Sequence, residues 1–194
     1  MKPDERERLR AAGRRLYEGG LVAGVLGAIG VRLSSGDVAV TARGTRLGFL
    51  EPPDMVTLNG NGLPRGDSAR PPGKDAGLLF AVLSAQCEAG SVIRVESPYA
   101  TALAHRGRRA LENSMALLEH LGGVAFVPHY RPGTAGLAGA VADVLRANRI
   151  AIVEGQGPIL WGRDTDDAVD QAEALEAAAK VIYLLNGSNG ARSG

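Results

Sequence analysis

Few side chains in this sequence can do chemistry, and two of them stand close together in the stretch SVIRVESPYATALAHRG, residues 91–107. Ser91, Val92 and Ile93 read as the core of a strand, and Ser97-Pro98 leads into a helix-like run from Tyr99 to His105. Alternate residues of an extended chain share a face. Arg94 and Glu96 therefore point the same way at the mouth of a strand, just before a helix, where sites are often built. Opposite charges so placed are either a local ion pair closing the strand or what has become of a site. A second candidate is Arg43-Gly44 in TARGT, where a guanidinium and turning backbone N–H groups can hold an anion. A plain surface turn fits those residues equally well. His129, in VPHYRPGT, ends a strand before a loop, which is the best placement for proton transfer among the three histidines. His105 reads as the polar end of a helix and His120 as a helix-surface residue. No two histidines have metal-ligand spacing.

Other patterns exclude more than they suggest. Gly24, Gly27 and Gly30 recur in GVLGAIG, but G-x-x-G-x-x-G is not the dinucleotide fingerprint and no clear strand precedes it, so the segment reads as a close-packing glycine-rich turn. Cys87 is the only cysteine, which rules out a disulfide framework or thiolate cluster, and it reads as a small core residue of an amphipathic helix. A formal net charge of +1 and 4% aromatic residues leave no global field or stacking platform for nucleic acid or a membrane surface. The N-terminus is charged, with no apolar signal core, and no apolar run approaches transmembrane length. The expectation is a cytoplasmic protein.

The elements that must position these residues follow from periodicity. The segment PDERERLRAAGRRLYEGGL predicts a helix, with Asp4 as cap, Glu7 completing a capping-box-like pair, Leu9, Ala12, Leu16 and Tyr17 on one face, and Gly19-Gly20 as the stop. Strands are predicted at 31–33, 38–41, 55–58, 91–95 and 124–127. Turns lie at 35–37 and in the asparagine-glycine pairs of 59–67. Helices are predicted at 74–87, 99–105, within ALENSMALLEHLGG and across TAGLAGAVADVLRANR, where Leu137, Val141, Val144 and Leu145 share a side. IAIVEGQGPILWG predicts a buried strand pair. A last helix runs from about 164 to 185 on a seam of Ala168, Ala172, Leu175, Ala179 and Ile182, followed by a frayed tail. The 194 residues suit one α/β domain with a central mixed or antiparallel sheet flanked by helices.

Taken together, the segments RRLYEGGLVAGVLGAIGVRL, VAVTARGTRLGFLEPPDMVTLNGNG, SVIRVESPYATALA, PHYRPGTAGLAGAVADVL, IAIVEGQGPILWGRD and AVDQAEALEAAAKVIYLL resemble the class II aldolase/adducin family in order, from about residue 5 to 186. The SPYATALA run and E-x-x-G-x-x-x-W-G-x-D are its most characteristic parts. The resemblance implies a single class II aldolase-like domain over 1–186 with a flexible tail over 187–194, and a homotetramer with active sites between neighbouring subunits.

The family's zinc-binding histidines do not carry over. Its H-T-H before SPYA is here Arg94-Val95-Glu96, and the histidine of E-N-H-G is here Gln156. Arginine stays protonated and cannot ligate a metal, and one carboxylate with one amide makes no zinc site. The catalytic glutamate of the family's S-S-E falls on Asp75 and its two phosphate-holding serines on Gly73 and Lys74. The asparagine and serine of G-N-x-S fall on Ala28 and Gly30, T-P-S-G has become Thr41-Ala42-Arg43-Gly44, and the tyrosine common in P-Y-A falls on His129.

The resemblance therefore implies no metal and no cofactor. It implies a pocket for a small anionic carbonyl or sugar compound, with Arg43, Gly44, Lys74, Arg94 and Gln156 as binding residues and Asp75, Glu96 and His129 as acid/base candidates. An enzyme so equipped is a carbon–carbon lyase or isomerase working without bound metal. The alternative is a catalytically inactive scaffold or oligomerisation module of the same family.

Overall fold

A computed structural model describes residues 2–66, 70–107 and 118–189 of the chain. Seven short strands, β1 Ala28–Arg32, β2 Val38–Thr41, β3 Met55–Leu58, β4 Ser91–Arg94, β5 Val124–Val127, β6 Ile150–Val153 and β7 Gly157–Gly162, pair in the order β3-β2-β1-β4-β7-β6-β5. Only β5 and β6 run parallel; every other neighbouring pair is antiparallel. The sheet is thus mixed but mostly antiparallel. Among the described residues five α-helices cover it: α1 Pro3–Glu18, α2 Ala76–Ala85, α3 Pro98–Arg106, α4 Ala135–Val144 and α5 Thr165–Asn189.

Both faces of the sheet are dry. Alternate residues of one strand enter different cores: Ile93 packs with Leu16, Leu103, Leu175 and Ile182 under α1, α3 and α5, while Val92 packs with Leu79, Leu83 and Val141 under α2 and α4. A strand buried on both faces reads as a continuous apolar run rather than an alternation, as in SVI and IAIV. The same alternation sends Val95 into the first core and turns Arg94 toward the α2 layer. Each large side chain so buried contributes roughly 1.5–3 kcal/mol.

The first strand departs from its predicted place. β1 begins at Ala28, inside the glycine-rich segment, where Ala28 and Gly30 pair with Arg94 and Val92 of β4 and Gly30 faces α2 with no room for a side chain. A Cβ on Gly30 would lie 2.9 Å from the Leu79 Cβ, so glycine lets α2 sit directly on the sheet. The turn before it needs glycine for a different reason: Gly24 and Gly27 have φ of +56° and +90°, which side chains disfavour.

Four further expectations change. Lys2, not Asp4, is the N-cap of α1; Pro3 takes the first helical position and the Glu5 carboxylate accepts the Lys2 N–H at 2.6 Å. Cys87 is exposed rather than core. α2 stops at Ala85 because the Arg32 guanidinium donates to the Leu83 and Gln86 carbonyls, while the Gln86 amide donates to the Leu145 carbonyl at 3.1 Å. The last helix runs on to Asn189, four residues past its predicted end. Most of the helix expected within ALENSMALLEHLGG lies outside the described residues; Glu119–Leu121 form a 3-10 turn. Among the described residues no helix is long and apolar enough to cross a membrane.

Helix α3 is anchored by an acid from another helix. Ser97 stands at the N-cap without a side-chain cap bond, and the Glu176 carboxylate of α5 instead accepts the N–H groups of Tyr99 and Ala100, both at 2.9 Å. A carboxylate at a helix N-terminus also meets the positive end of the dipole. Glu176→Ala is expected to cost about 1–2 kcal/mol in urea denaturation and Glu176→Gln clearly less; an Ala variant within error of wild type would show that the cap contributes nothing.

Candidate functional site

The site begins with how two loops are held beside the start of α2. β2 runs out at Thr41-Ala42-Arg43-Gly44, and the extended segment 71–75 lies along it. The Arg43 N–H donates to the Pro71 carbonyl at 2.9 Å and the Gly73 N–H to the Thr41 carbonyl at 3.0 Å. A Cβ on Gly73 would sit 2.9 Å from that same oxygen, so the approach requires glycine. Gly44 turns the chain with φ +72°. Arg70 completes the turn: one guanidinium nitrogen donates to the Arg43 carbonyl at 2.5 Å and another pairs with the buried Asp54. The Ala76 N–H then bonds the Gly73 carbonyl as α2 starts.

These segments and the turn before β1 enclose a cleft of about 380 Å³. Arg43, Gly44, Lys74 and Asp75 line it, as do Val25 and Leu26. Arg43 and Lys74 are exposed, and among the described residues neither has an acidic partner. Lys74 also borders a second groove between α2 and α4, beside Gly133 and Thr134.

Beneath the cleft lies the answer to the paired charges of the sequence. Ala28 of β1 is registered with Arg94 of β4, so the Arg94 side chain rises from the strand end toward the α2 N-terminus. Its Nη1 meets the Asp75 carboxylate at 3.1 Å and its Nη2 the Glu96 carboxylate at 2.8 Å. Arg94 and Asp75 are each 6% exposed at the side chain and Glu96 22%. Asp75 is the N-cap residue of α2, yet its side chain caps nothing; it faces Arg94 instead. One guanidinium thus bridges two carboxylates from different elements, and a planar fork is the side chain whose shape allows it. Arg94 does not line the cleft. It underlies it.

His129 and Gln156 stand elsewhere, at the ends of β5 and β6. The His129 N–H donates to the Glu154 carboxylate at 3.2 Å, and its ring Nδ1 lies 3.3 Å from the Glu154 carbonyl. Gln156 is buried and its amide donates to the Tyr130 carbonyl at 2.6 Å. Neither residue lines the cleft within one chain. His105 and His120 are both exposed. Among the described residues no group of three or more His, Cys, Asp or Glu side chains could hold a metal ion.

Of the residues that the resemblance places in one pocket, Arg43, Gly44, Lys74 and Asp75 line this cleft, and Arg94, Glu96, His129 and Gln156 do not. Sequence reasoning missed Arg70, which shapes the Arg43-Gly44 turn from a proline-rich loop carrying no signal of its role. It missed the exposed Val25 and Leu26 as well, whose only trace is two apolar residues between glycines that need positive φ.

Comparison with known proteins gives a consistent setting. Residues 7–183 match the family model described as Class II Aldolase and Adducin N-terminal domain. A 3-oxo-tetronate 4-phosphate decarboxylase of Haemophilus influenzae is 29% identical over 190 residues, covering 94% of this chain and 89% of that protein. The crystal structure of YgbL from Escherichia coli superposes with a TM-score of 0.84 at 24% identity, covering 95% of this chain and 91% of that one. The L-fuculose-1-phosphate aldolase of Thermus thermophilus gives a TM-score of 0.80 at 20% identity, with the whole of both chains covered. These two likenesses establish the α/β class II aldolase fold.

Arg94→Lys tests the bridge, because the guanidinium reaches one carboxylate with each of two separate nitrogens, whereas an ammonium must meet both from a single nitrogen. The expected cost in chemical denaturation is about 1–3 kcal/mol; a Lys variant as stable as wild type would show that one point charge suffices.

Proposed function

Because the chain belongs to the class II aldolase and adducin N-terminal domain family, we propose that it binds a small anionic carbonyl compound, a phosphorylated sugar acid or ketose in the first instance, in the cleft of Arg43 and Lys74, without a resident divalent metal. The observation that carries this reading is the buried guanidinium of Arg94 between Asp75 and Glu96. In the family's pattern Arg94 and Glu96 stand at two of the metal-binding histidines and Gln156 at the third. A guanidinium has no lone pair to give a metal. Asp75 and Glu96 already neutralise it, and the Gln156 amide is committed to the Tyr130 carbonyl. The residues present do not fit a divalent cation, and the proposed chemistry takes no step through one.

The anion preference rests on three positive features that converge on one volume. Arg43 and Lys74 line the cleft, and the α2 N-terminus opens onto it through Asp75 and Ala76. Helix N-termini favour anions. The relatives' names point the same way: a decarboxylase of a 4-phosphate substrate and an aldolase of a 1-phosphate.

If bonds are broken here, the class is lyase-type cleavage beside a carbonyl or an isomerisation. Asp75 is the carboxylate that lines the cleft; Glu96 is more exposed but lies outside that lining, and it takes a proton from carbon or hydroxyl of a ligand that extends past the cleft while Arg43 and Lys74 hold the developing oxyanion. His129 is the proton donor when the chains assemble as a homotetramer that brings it from a neighbouring subunit to the cleft. Asp75 keeps Arg94 in place. The inactive-scaffold reading is favoured by one observation: Arg94 engages both carboxylates, so neither stands free.

Calorimetric titration with phosphoglycolate, which carries a phosphate and a carboxylate, separates these readings. Arg43→Ala and Lys74→Ala are each expected to weaken binding at least about tenfold, or about 1.4 kcal/mol. Absence of binding by the wild type, or equal binding by both variants, would overturn the anion cleft. Binding with no turnover of any phosphorylated ketose would favour the scaffold. Elemental analysis of the purified protein should find no stoichiometric zinc; about one per chain, removable by chelator with loss of activity, would contradict the metal-free site. Light scattering should give a tetramer, and a monomer at micromolar concentration would remove the neighbouring subunit from the scheme.

A further inference from the structure

The cleft also has apolar lining. The turn Ala23-Gly24-Val25-Leu26, closed by the Leu26 N–H on the Ala23 carbonyl at 2.9 Å, carries Val25 and Leu26 to the rim of the cleft. They are 57% and 41% exposed. Two adjacent large apolar side chains are thus held partly in the open on a tight turn, and neither belongs to the buried core. Their anchor is firm, because Leu21 and Val22 just before them are buried in the main core.

The polar groups of the cleft are almost all turned to other work. Thr41 Oγ1 accepts the Ile29 N–H at 3.3 Å and Thr41 is 4% exposed. Thr45 is equally buried and its hydroxyl faces Asp54 at 3.5 Å. Asp75 is held by Arg94. Ala28 and Ala42 supply only methyl groups to the lining. Apart from backbone, the groups left free to bind are therefore the two cations and an apolar surface.

A polyhydroxylated chain would lose its water in such a cleft and find no side-chain partner for its hydroxyls, which is unfavourable. An apolar substituent would bury against Val25, Leu26 and Ala28 and gain with each carbon removed from water. Resting on the anion reading above, we infer that the ligand of this cleft is an anion bearing a short apolar substituent, a compound with a phosphate or carboxylate at one end and a short alkyl group near the other, rather than a polyol phosphate.

Two probes of equal charge and similar size isolate the point. Monobutyl phosphate and glycerol 3-phosphate differ in carrying methylenes or hydroxyls, and inorganic phosphate reports the anion contact alone. In calorimetric titrations of the full chain, monobutyl phosphate should bind at least about tenfold more tightly than glycerol 3-phosphate. Leu26→Ser and Val25→Ser, both at exposed positions that leave the core intact, should each bring that ratio down toward one. Equal or tighter binding of glycerol 3-phosphate, with inorganic phosphate still bound, would overturn this inference and leave the anion cleft standing. A ratio unchanged in both serine variants would overturn it too, because the preference would then arise away from this turn. Failure of all three probes to bind would remove the anion cleft itself and this inference with it.

Discussion

A guanidinium enclosed by protein is tolerable only beside negative charge, and Arg94 has two such partners within 3.1 Å. At that separation each contact is worth roughly 5 kcal/mol at an effective dielectric of 20, against a desolvation cost of several kcal/mol per ion. The group is therefore a constraint more than a source of stability. It needs Asp75 at the start of α2 and Glu96 after β4 to stay where they are, so it ties the α2 layer to the central strands. Gly30 and Gly73 make this possible by letting α2 and the segment before it approach the sheet closely. The Arg43-Gly44 turn, fixed by Arg70, completes the cleft above.

Most of this architecture was legible in the sequence. β2 and β3 lie where the sequence placed them, because short β-branched runs between turn signals leave little freedom of register. The α5 seam of Ala168, Ala172, Leu175, Ala179 and Ile182 is wholly buried, as a 3.6-residue period requires. What escaped was decided by distant partners. β1 starts within a run of glycines because pairing with β2 and β4 on both sides overrides weak local preference. α2 ends before Cys87 because Arg32, far away in sequence, takes the carbonyls at its end. The site shows the same division. The shared direction of Arg94 and Glu96 follows from strand alternation, and the resemblance put Asp75 in the same pocket, but that one guanidinium bridges both carboxylates is visible only in the folded chain.

The cleft is uneven in chemical character. Its two cations have no acidic partner among the described residues, its threonines face inward, and Val25 and Leu26 stand at its rim. On the proposed reading these features are consistent with one another: each weakens selection for hydroxyls and strengthens selection for charge joined to hydrocarbon.

The measurement that bears most directly on this picture is a double-mutant cycle between Arg94 and Asp75, using Arg94→Met, Asp75→Leu and the double variant in urea denaturation. If the guanidinium is the internal counter-ion of the site, Arg94→Met leaves the buried Asp75 carboxylate unpaired, Asp75→Leu leaves Arg94 only the more exposed Glu96, and each single variant is destabilised. The double variant then recovers much of the loss, giving a coupling of about 2 kcal/mol or more. Single effects that simply add, within about 0.5 kcal/mol, would show that Arg94 and Asp75 do not act as a unit and that the site is not organised around them.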